Sequence, residues 1–336
     1  MKKSIFILII VLGLTVLISM CMGKYPVSAR DLVYFIKQHI FGQRPFNDPQ
    51  QYDILKNILI NIRLPRIIAA ILIGAALSVS GATFQSMFIN PLVSPGLLGV
   101  LAGASFGAAL GMTLAKSWIM VQVGAFIFGL IAVAAALGLS MLNKNDRLLM
   151  LILGGIISSA LFTSLLSVIK YLADPYDQLP AIVYWLMGSI SAVDNATVFF
   201  LCGPIAVGIF ILLFLSGYLN VLSMGDEEAR SLGVNVLFLR SCFILLATII
   251  SAFTVVLGGM IGWVGLLIPH VARMIVGPDN RILLPVSALV GAIYLLIADD
   301  MARLLFSVEI PIGIITSLIG IPFFAFLLHR AKKGWN

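Results

Sequence analysis

Charge is scarce in this sequence. Lys and Arg number 21 and Asp and Glu 14, together 10% of 336 residues, where a soluble domain carries roughly 25%. The hydrophobic share is 61% and the mean hydropathy +1.11. A soluble chain of this length could not cover itself with polar groups, so a soluble globular enzyme and a disordered protein are both excluded. Period-two alternation is missing as well. The apolar runs are continuous, which excludes a β-barrel. Cysteine is limited to Cys21, Cys202 and Cys242, each in or beside an apolar run and without CxxC spacing, so they read as small buried hydrophobes. The three histidines, His39, His270 and His329, stand far apart, and neither HExxH nor any other metal-ligand cluster occurs. No Walker A motif is present, so the chain does not hydrolyse ATP by that route. Gly103-Ala-Ser-Phe-Gly107 matches GxSxG, but it lies inside a glycine-rich apolar run with no strand before it and is a coincidence.

What is present is a series of apolar runs, and the fold class that remains is an all-α polytopic membrane protein. About 20 apolar residues cross a bilayer as a helix. The first run, Ser4–Met22, follows Lys2 and Lys3. It has no small-x-small cleavage site, and Met20 before Cys21 spoils a lipoprotein signal, so it reads as an uncleaved span. Residues 23–62, with Pro26, Pro45 and Pro49, form the longest extramembrane stretch and should hold a short amphipathic helix near Asp31–Ile40. Nine further spans are expected at Leu64–Phe84, Leu97–Ala115, Trp118–Leu142, Leu148–Tyr171, Val193–Leu215, Leu239–Leu257, Gly262–Val276, Leu283–Ala298 and Ile312–Leu328. The whole chain, 1–336, then forms a single transmembrane domain of ten spans, with 218–238 as a connecting loop. An even number puts both termini on one side.

The net charge of +7 is scattered between apolar runs, so it reports loop topology and gives no sign of nucleic-acid binding. With the N-terminus inside, eleven basic residues lie on the inner side: Lys2, Lys3, Lys144, Arg147, Arg230, Arg240, Arg273, Arg281, Arg330, Lys332 and Lys333. Seven basic residues crowd into 24–66, and outside that stretch the outer side holds only Lys116, Lys170 and Arg303. The positive-inside rule therefore makes the termini cytoplasmic. Gly99, Gly103, Gly107 and Gly111 recur every four residues and predict a tightly packed helix pair. Gly258, Gly259, Gly262 and Gly265, with Pro269, predict an interrupted helix, which a membrane tolerates only where protein or water covers it.

The expected spans hold almost no ionisable residue, with Asp299 and Asp300 placed at the end of the ninth. Ion-coupled transporters carry intramembrane acids or bases, so transport here would be energised by a partner. Three features suit docking. Gly225-Asp-Glu-Glu-Ala-Arg-Ser-Leu-Gly233 is a charged, helix-prone segment between two spans, either a plain connector or an insert into a partner. Arg63-Leu-Pro-Arg66 and Arg303 lie on the outer side; they either anchor at the interface or pair with acidic groups of an external protein. Asn90-Pro-Leu-Val-Ser-Pro95 enforces a rigid turn.

Taken in order, Arg63-Leu-Pro-Arg66, Gly74-Ala-Ala-Leu-Ser-Val-Ser-Gly81, Gln85, Asn90-Pro-Leu and Pro95-Gly-Leu-Leu-Gly99 resemble the opening signature of the FecCD family, the permease subunits of cobalamin- and iron-chelate-type ABC importers. Gly262-Trp-Val-Gly-Leu-Leu-Ile-Pro-His-Val-Ala-Arg273, Gly277-Pro-Asp-Asn-Arg281, Ala298-Asp-Asp-Met-Ala-Arg303, Glu309-Ile-Pro-Ile-Gly313 and Gly320-Ile-Pro-Phe-Phe324 resemble the later signatures. The resemblance runs from about residue 60 to the C-terminus. It implies a homodimer in the bacterial cytoplasmic membrane with the pathway between the copies. It also implies two cytoplasmic ATPase subunits, which carry ATP and Mg, and a soluble binding protein outside; no cofactor is held by this chain. In the family, the segment matching Gly225, Asp226, Glu227, Glu228, Ala229, Arg230, Leu232 and Gly233 couples to the ATPase. The arginines matching Arg63, Arg66 and Arg303 receive the binding protein. The implied substrates are iron siderophores, haem, cobalamin, molybdate or tungstate, with the molybdate type the nearer resemblance. The alternatives are an ion-coupled secondary transporter centred on Asp299 and Asp300 and a membrane enzyme using His270 with those acids.

Overall fold

The computed structural model describes residues 2–42, 49–115, 117–141 and 147–331. Arg44, Lys116, Lys144, Lys332 and Lys333, which entered the topology argument, lie outside the described residues. Every regular element among the described residues is helical. The opening part comprises α1 (Lys2–Cys21), α2 (Ala29–Phe41), α3 (Pro49–Lys56), a π-helical stretch Asn57–Arg63 and α4 (Leu64–Met87). A single-turn 3₁₀ segment, Pro95–Leu98, precedes α5 (Val100–Leu114), α6 (Trp118–Ser140), α7 (Arg147–Leu172) and α8 (Gln178–Leu186). Then come α9 (Asn195–Phe214), α10 (Ser216–Leu222), α11 (Asp226–Ser231), α12 (Val236–Gly258), α13 (Val264–Val276), α14 (Asn280–Leu304) and α15 (Ile312–Ala331).

Seven helices are long and apolar enough to cross a membrane: α1, the continuous stretch Gln50–Met87, α6, α7, α9, α12 and α14. Three more are apolar but shorter, Val100–Leu114, Val264–Val276 and Ile312–Phe326. The ten apolar segments of the sequence thus recur as helices. Their ends differ where capping or packing decides. Asp279 opens α14 by accepting the Arg281 amide at 3.0 Å, three residues before hydropathy alone begins the helix. The same helix runs on to Leu304, so Asp299 and Asp300 lie within it and not at its end. Residues 23–62 also depart from the expectation of one loop. The amphipathic helix is there as α2, capped by Ser28, but Pro49–Met87 is an unbroken helical stretch through its π-helical insert.

The reason α4 sits at the centre is its composition. It is apolar or small around its whole circumference, and a helix of that kind has no face for solvent. Nearly every residue from Pro65 to Met87 is buried, against α9, α12, α13 and α14. Gly74 faces Gly291 of α14, and Gly81 faces Gly265 of α13, so closely that a Cβ at any of these positions would fall on the opposing backbone carbonyl or side chain. Beside this core, α5, α6 and α7 pack as a second group. Phe35, Leu55, Leu59 and Val27 close a small cluster under α2 and α3.

Two non-helical stretches run through the interior. Gly259 and Trp263 take positive φ, +67° and +69°, between α12 and α13. Gly188 (φ +73°) sits against the Met260 carbonyl, and the Ser189 amide donates to the Gly258 carbonyl at 2.9 Å. The two stretches cover one another and share a backbone hydrogen bond, and irregular chain in a membrane protein is tolerated where protein covers it in this way.

Candidate functional site

At the N-terminal end of α4, the arginines expected either to anchor at the interface or to meet an external partner are interior. Arg63, Arg66 and Arg303 are 3%, 8% and 8% exposed. The Arg63 guanidinium donates to the carbonyls of Met20 and Tyr25, tying the π-helical stretch to the end of α1. Arg66 donates from Nε to both Asp299 carboxylate oxygens at 2.9 Å, and from Nη2 to Asp299 at 2.6 Å and to Glu309 at 2.5 Å. Arg303 donates to Asp300 and, at 3.0 Å, to the Ser19 hydroxyl, while Ser19 donates to Asp300 at 2.8 Å. Arg303 Nε lies 3.2 Å from Asp299. One turn of α14 therefore carries two acids and a base at i, i+1 and i+4, and these lock α1, α4 and the chain before α15 together. Desolvated charges persist only when paired and hydrogen-bonded in this way.

This corrects one expectation: the helical bundle does hold buried ionisable groups. Asp299 and Asp300, the centre of the ion-coupled alternative, are each paired with arginine. Asp299 is wholly buried, and Glu309 is the member of the network with appreciable exposure. Ser19 escaped sequence reasoning because no local pattern marks it, and Glu309, although it opens a recognised motif, gave no sign of its pairing because Arg66 lies 243 residues away.

At the opposite end, α11 makes a short turn between α10 and α12. Gly225 (φ +119°) and Gly233 (φ +78°) bound it, left-handed positions that favour glycine. Ala229 is buried and fixes the turn, while Glu227, Glu228, Arg230 and Leu232 face outward. Leu232 is 60% exposed. Asp226 accepts from Arg240 of α12 at 2.6 and 3.1 Å, so the turn's first acid is held internally and the next two are presented. Asn220 of α10, Asp279 and Asn280 at the start of α14, and Ser86 at the end of α4 form a polar chain close by. Asp279 and Asn280 belong to the Gly277–Arg281 motif noted in the sequence, whereas Asn220 and Ser86 carried no such mark.

The glycine run is divided. Gly103, Gly107 and Gly111 face the α6 backbone at Phe128, Gly124 and Met120, whereas Gly99 adopts φ +88°, caps α5 and faces Ser158 and Ser159 of α7. A cavity of about 440 Å³ lies between the start of α6, α8 and the end of α12. Trp118, Tyr184, Trp185, Gln122, Asp177 and Asp194 are among its lining residues, and the irregular stretch at Ser189 and Ser191 borders it. His270 lies on α13, half-buried. Among the described residues no group of three or more His, Cys, Asp and Glu side chains is placed to hold a metal ion.

Comparison with known proteins gives these elements a context. The family model described as "FecCD transport family" matches residues 8–330. The molybdate import system permease protein MolB of Haemophilus influenzae is 39% identical over 332 residues, covering 99% of this chain and 97% of its own. A probable iron chelatin transport system permease protein of Helicobacter pylori is 38% identical, over 84% of this chain and 86% of its own. Among solved structures, a metal-chelate type ABC transporter in an inward-facing conformation superposes with a TM-score of 0.86 at 39% identity, covering 98% of this chain and all of that one. PsaBC of Streptococcus pneumoniae, at 18% identity and a TM-score of 0.55, shares the fold alone. With a family model spanning nearly its whole length and relatives matched end to end, this chain, a multi-pass membrane permease, belongs to the FecCD transport family.

Proposed function

We propose that the chain forms the translocation pathway of an ATP-driven importer, as a homodimer of ten-span subunits with both termini cytoplasmic. The observation that carries this reading is the α10–α11–α12 turn in a FecCD permease that has no ATP-binding motif of its own. A buried alanine anchors the turn, two glycines shape it, and it presents charged side chains with an exposed leucine. A cytoplasmic ATPase subunit on each copy would seat there and carry the ATP and Mg, with Gly225–Gly233 as the coupling segment. No cofactor is assigned to the chain itself.

The arginine network defines the outer end, where a soluble binding protein would dock. Since Arg66 is paired internally through Nε and Nη2, an incoming acid would reach that edge by displacing Glu309, its partly exposed partner. Arg63 and Arg303 would shape the same surface from beneath. The substrate class is a metal chelate or a metal oxyanion, the range that the relatives' names span. An ion-coupled mechanism is disfavoured because Asp299 and Asp300 are both bound by arginine.

The test is affinity isolation of the tagged chain from native membranes in mild detergent, with mass-spectrometric identification of what comes with it. Recovery of an ATPase carrying a Walker A motif supports the importer. Recovery of the chain alone, where a known ABC complex survives the same extraction, overturns it.

A further inference from the structure

The coupling turn is tied to the bundle on two sides. Toward α12 the tie is the Asp226–Arg240 ion pair. Toward α4 it is a chain of short hydrogen bonds that begins five residues before Gly225. Asn220 of α10 donates from Nδ2 to Asp279 at 2.7 Å, and its Oδ1 accepts the Asn280 amide and the Asn280 Nδ2, both at 2.9 Å. The Oδ1 of Asn280 accepts the Ser86 hydroxyl of α4 at 2.6 Å. Asn280 is 1% exposed. The neighbouring Arg281 guanidinium lies against Gly217, leaving α10 a second contact with the start of α14.

We propose that Asn220 and Asn280 are positioning residues that transmit movement of the coupling turn to α4. The inference rests on the coupling role given above to Gly225–Gly233. Apolar neighbours slide past one another at little cost, whereas an amide pair with its inner member, Asn280, buried has discrete arrangements and a penalty for leaving that member half-bonded. The helix it grips is the buried central one, and Arg66 stands twenty residues away, roughly 30 Å along the axis. Ser86 and Arg66 are thus the two polar handles of one rigid rod, with the coupling turn at one handle and the proposed docking surface at the other. The same chain helps to cap α14, since Asp279 accepts the Arg281 amide and Asn220 the Asn280 amide, but the Asn280–Ser86 bond adds nothing to that cap and serves only to join α14 to α4.

The experiment uses the assembled complex in nanodiscs. Spin labels are attached at Ile62→Cys, an exposed position just before α4, in both copies, and their separation is measured with and without vanadate-trapped ATP. In the otherwise unaltered complex the separation shifts with nucleotide. In Asn220→Ala, Asn280→Ala and the double variant, ATPase activity stays within about two-fold while the shift falls by at least half. The double variant is no worse than the worse single one, as links in series require. Ser86→Ala carries the test if Asn280→Ala does not assemble. A full shift in the asparagine variants overturns the proposal, as does no shift in the unaltered complex. Leu232→Asp at the turn is the control. If it abolishes the shift and the asparagine variants do not, only this inference fails. If it also leaves the shift intact, the coupling-turn reading fails with it.

Discussion

Replacing Asp299 by Asn removes one negative charge from a site that no solvent reaches. In the folded chain Asp299 accepts three hydrogen bonds of 2.6 to 2.9 Å from Arg66 and lies 3.2 Å from Arg303. The variant leaves two buried guanidiniums sharing Asp300 and Glu309, and an amide whose NH₂ group points at cations. Breaking one partner of a buried pair costs about 3–5 kcal/mol, which is roughly a hundred-fold to a few thousand-fold in the folding equilibrium. Equilibrium unfolding of the purified chain in mixed detergent micelles measures it. Because the pair is desolvated, the loss should be the same at low and high salt. The paired replacement Arg66→Met with Asp299→Leu removes both charges and should recover most of the stability, since well-packed apolar side chains replace buried ion pairs at little cost. A loss below about 1 kcal/mol in Asp299→Asn, or a double variant as unstable as the sum of its singles, would refute the claim that this network is desolvated and cooperative.

Four further outcomes follow from the same structure. Glu309→Gln should leave the fold intact and tighten capture of the binding protein by freeing Arg66, whereas charge reversal at Arg63, Arg66 and Arg303 should lower the melting temperature before any partner is added; unchanged capture in Glu309→Gln removes docking from this end. Charge reversal at Glu227, Glu228 and Arg230, all exposed, should shift stability by no more than about 0.5 kcal/mol yet uncouple ATP hydrolysis from transport, and intact coupling would make the turn a mere connector. Gly107→Ala places a methyl on the Gly124 carbonyl and should cost about 1–3 kcal/mol, while Gly203→Ala, which meets open space, should be neutral in the same melt. Hydrogen bonds from Asn220 and from the Arg281 amide hold the Asp279 carboxyl below its usual range. Its contribution is therefore present above the unfolded pKa of about 3.9 and lost as pH falls through the lower folded value, so Asp279→Asn should flatten that part of the acid-unfolding curve.

The helical membrane architecture was legible because hydropathy is a local property. The runs at Trp118–Ser140 and Val236–Gly258 declare themselves in any window of their own length. The interrupted stretch before α13 was equally legible from Gly258, Gly259 and Gly262, because glycine accommodates the positive φ that Gly259 adopts, although nothing in the sequence marked Trp263 as the second positive-φ position. The internal pairing of the arginines was hidden for the opposite reason. Arg66 and Asp299 are 233 residues apart, and a lone arginine beside an apolar run looks the same whether it faces water or a buried carboxylate. The end of α14 was misplaced by the same blindness: the acids that stopped a hydropathy reading at Ala298 are neutralised by partners that such a reading does not see. The Gly225–Gly233 turn could be outlined from its charges and glycines, but the Asn220–Asn280 link could not, since asparagines near a helix start read first as caps.

The hydrogen bond from Ser19 to Asp300 joins residues 281 positions apart. Translation proceeds from the N-terminus, so α1 and α4 enter the lipid long before α14 has been made. During that interval Arg66 must wait at the headgroup level, where its long stem can lie in hydrocarbon while its charge stays wet. The ionic cluster therefore closes only when nearly all of the chain has been inserted, and it can stabilise none of the earlier intermediates. A chain truncated before α14 would keep Arg66 but lack Asp299, the acid that Arg66 meets in the complete fold.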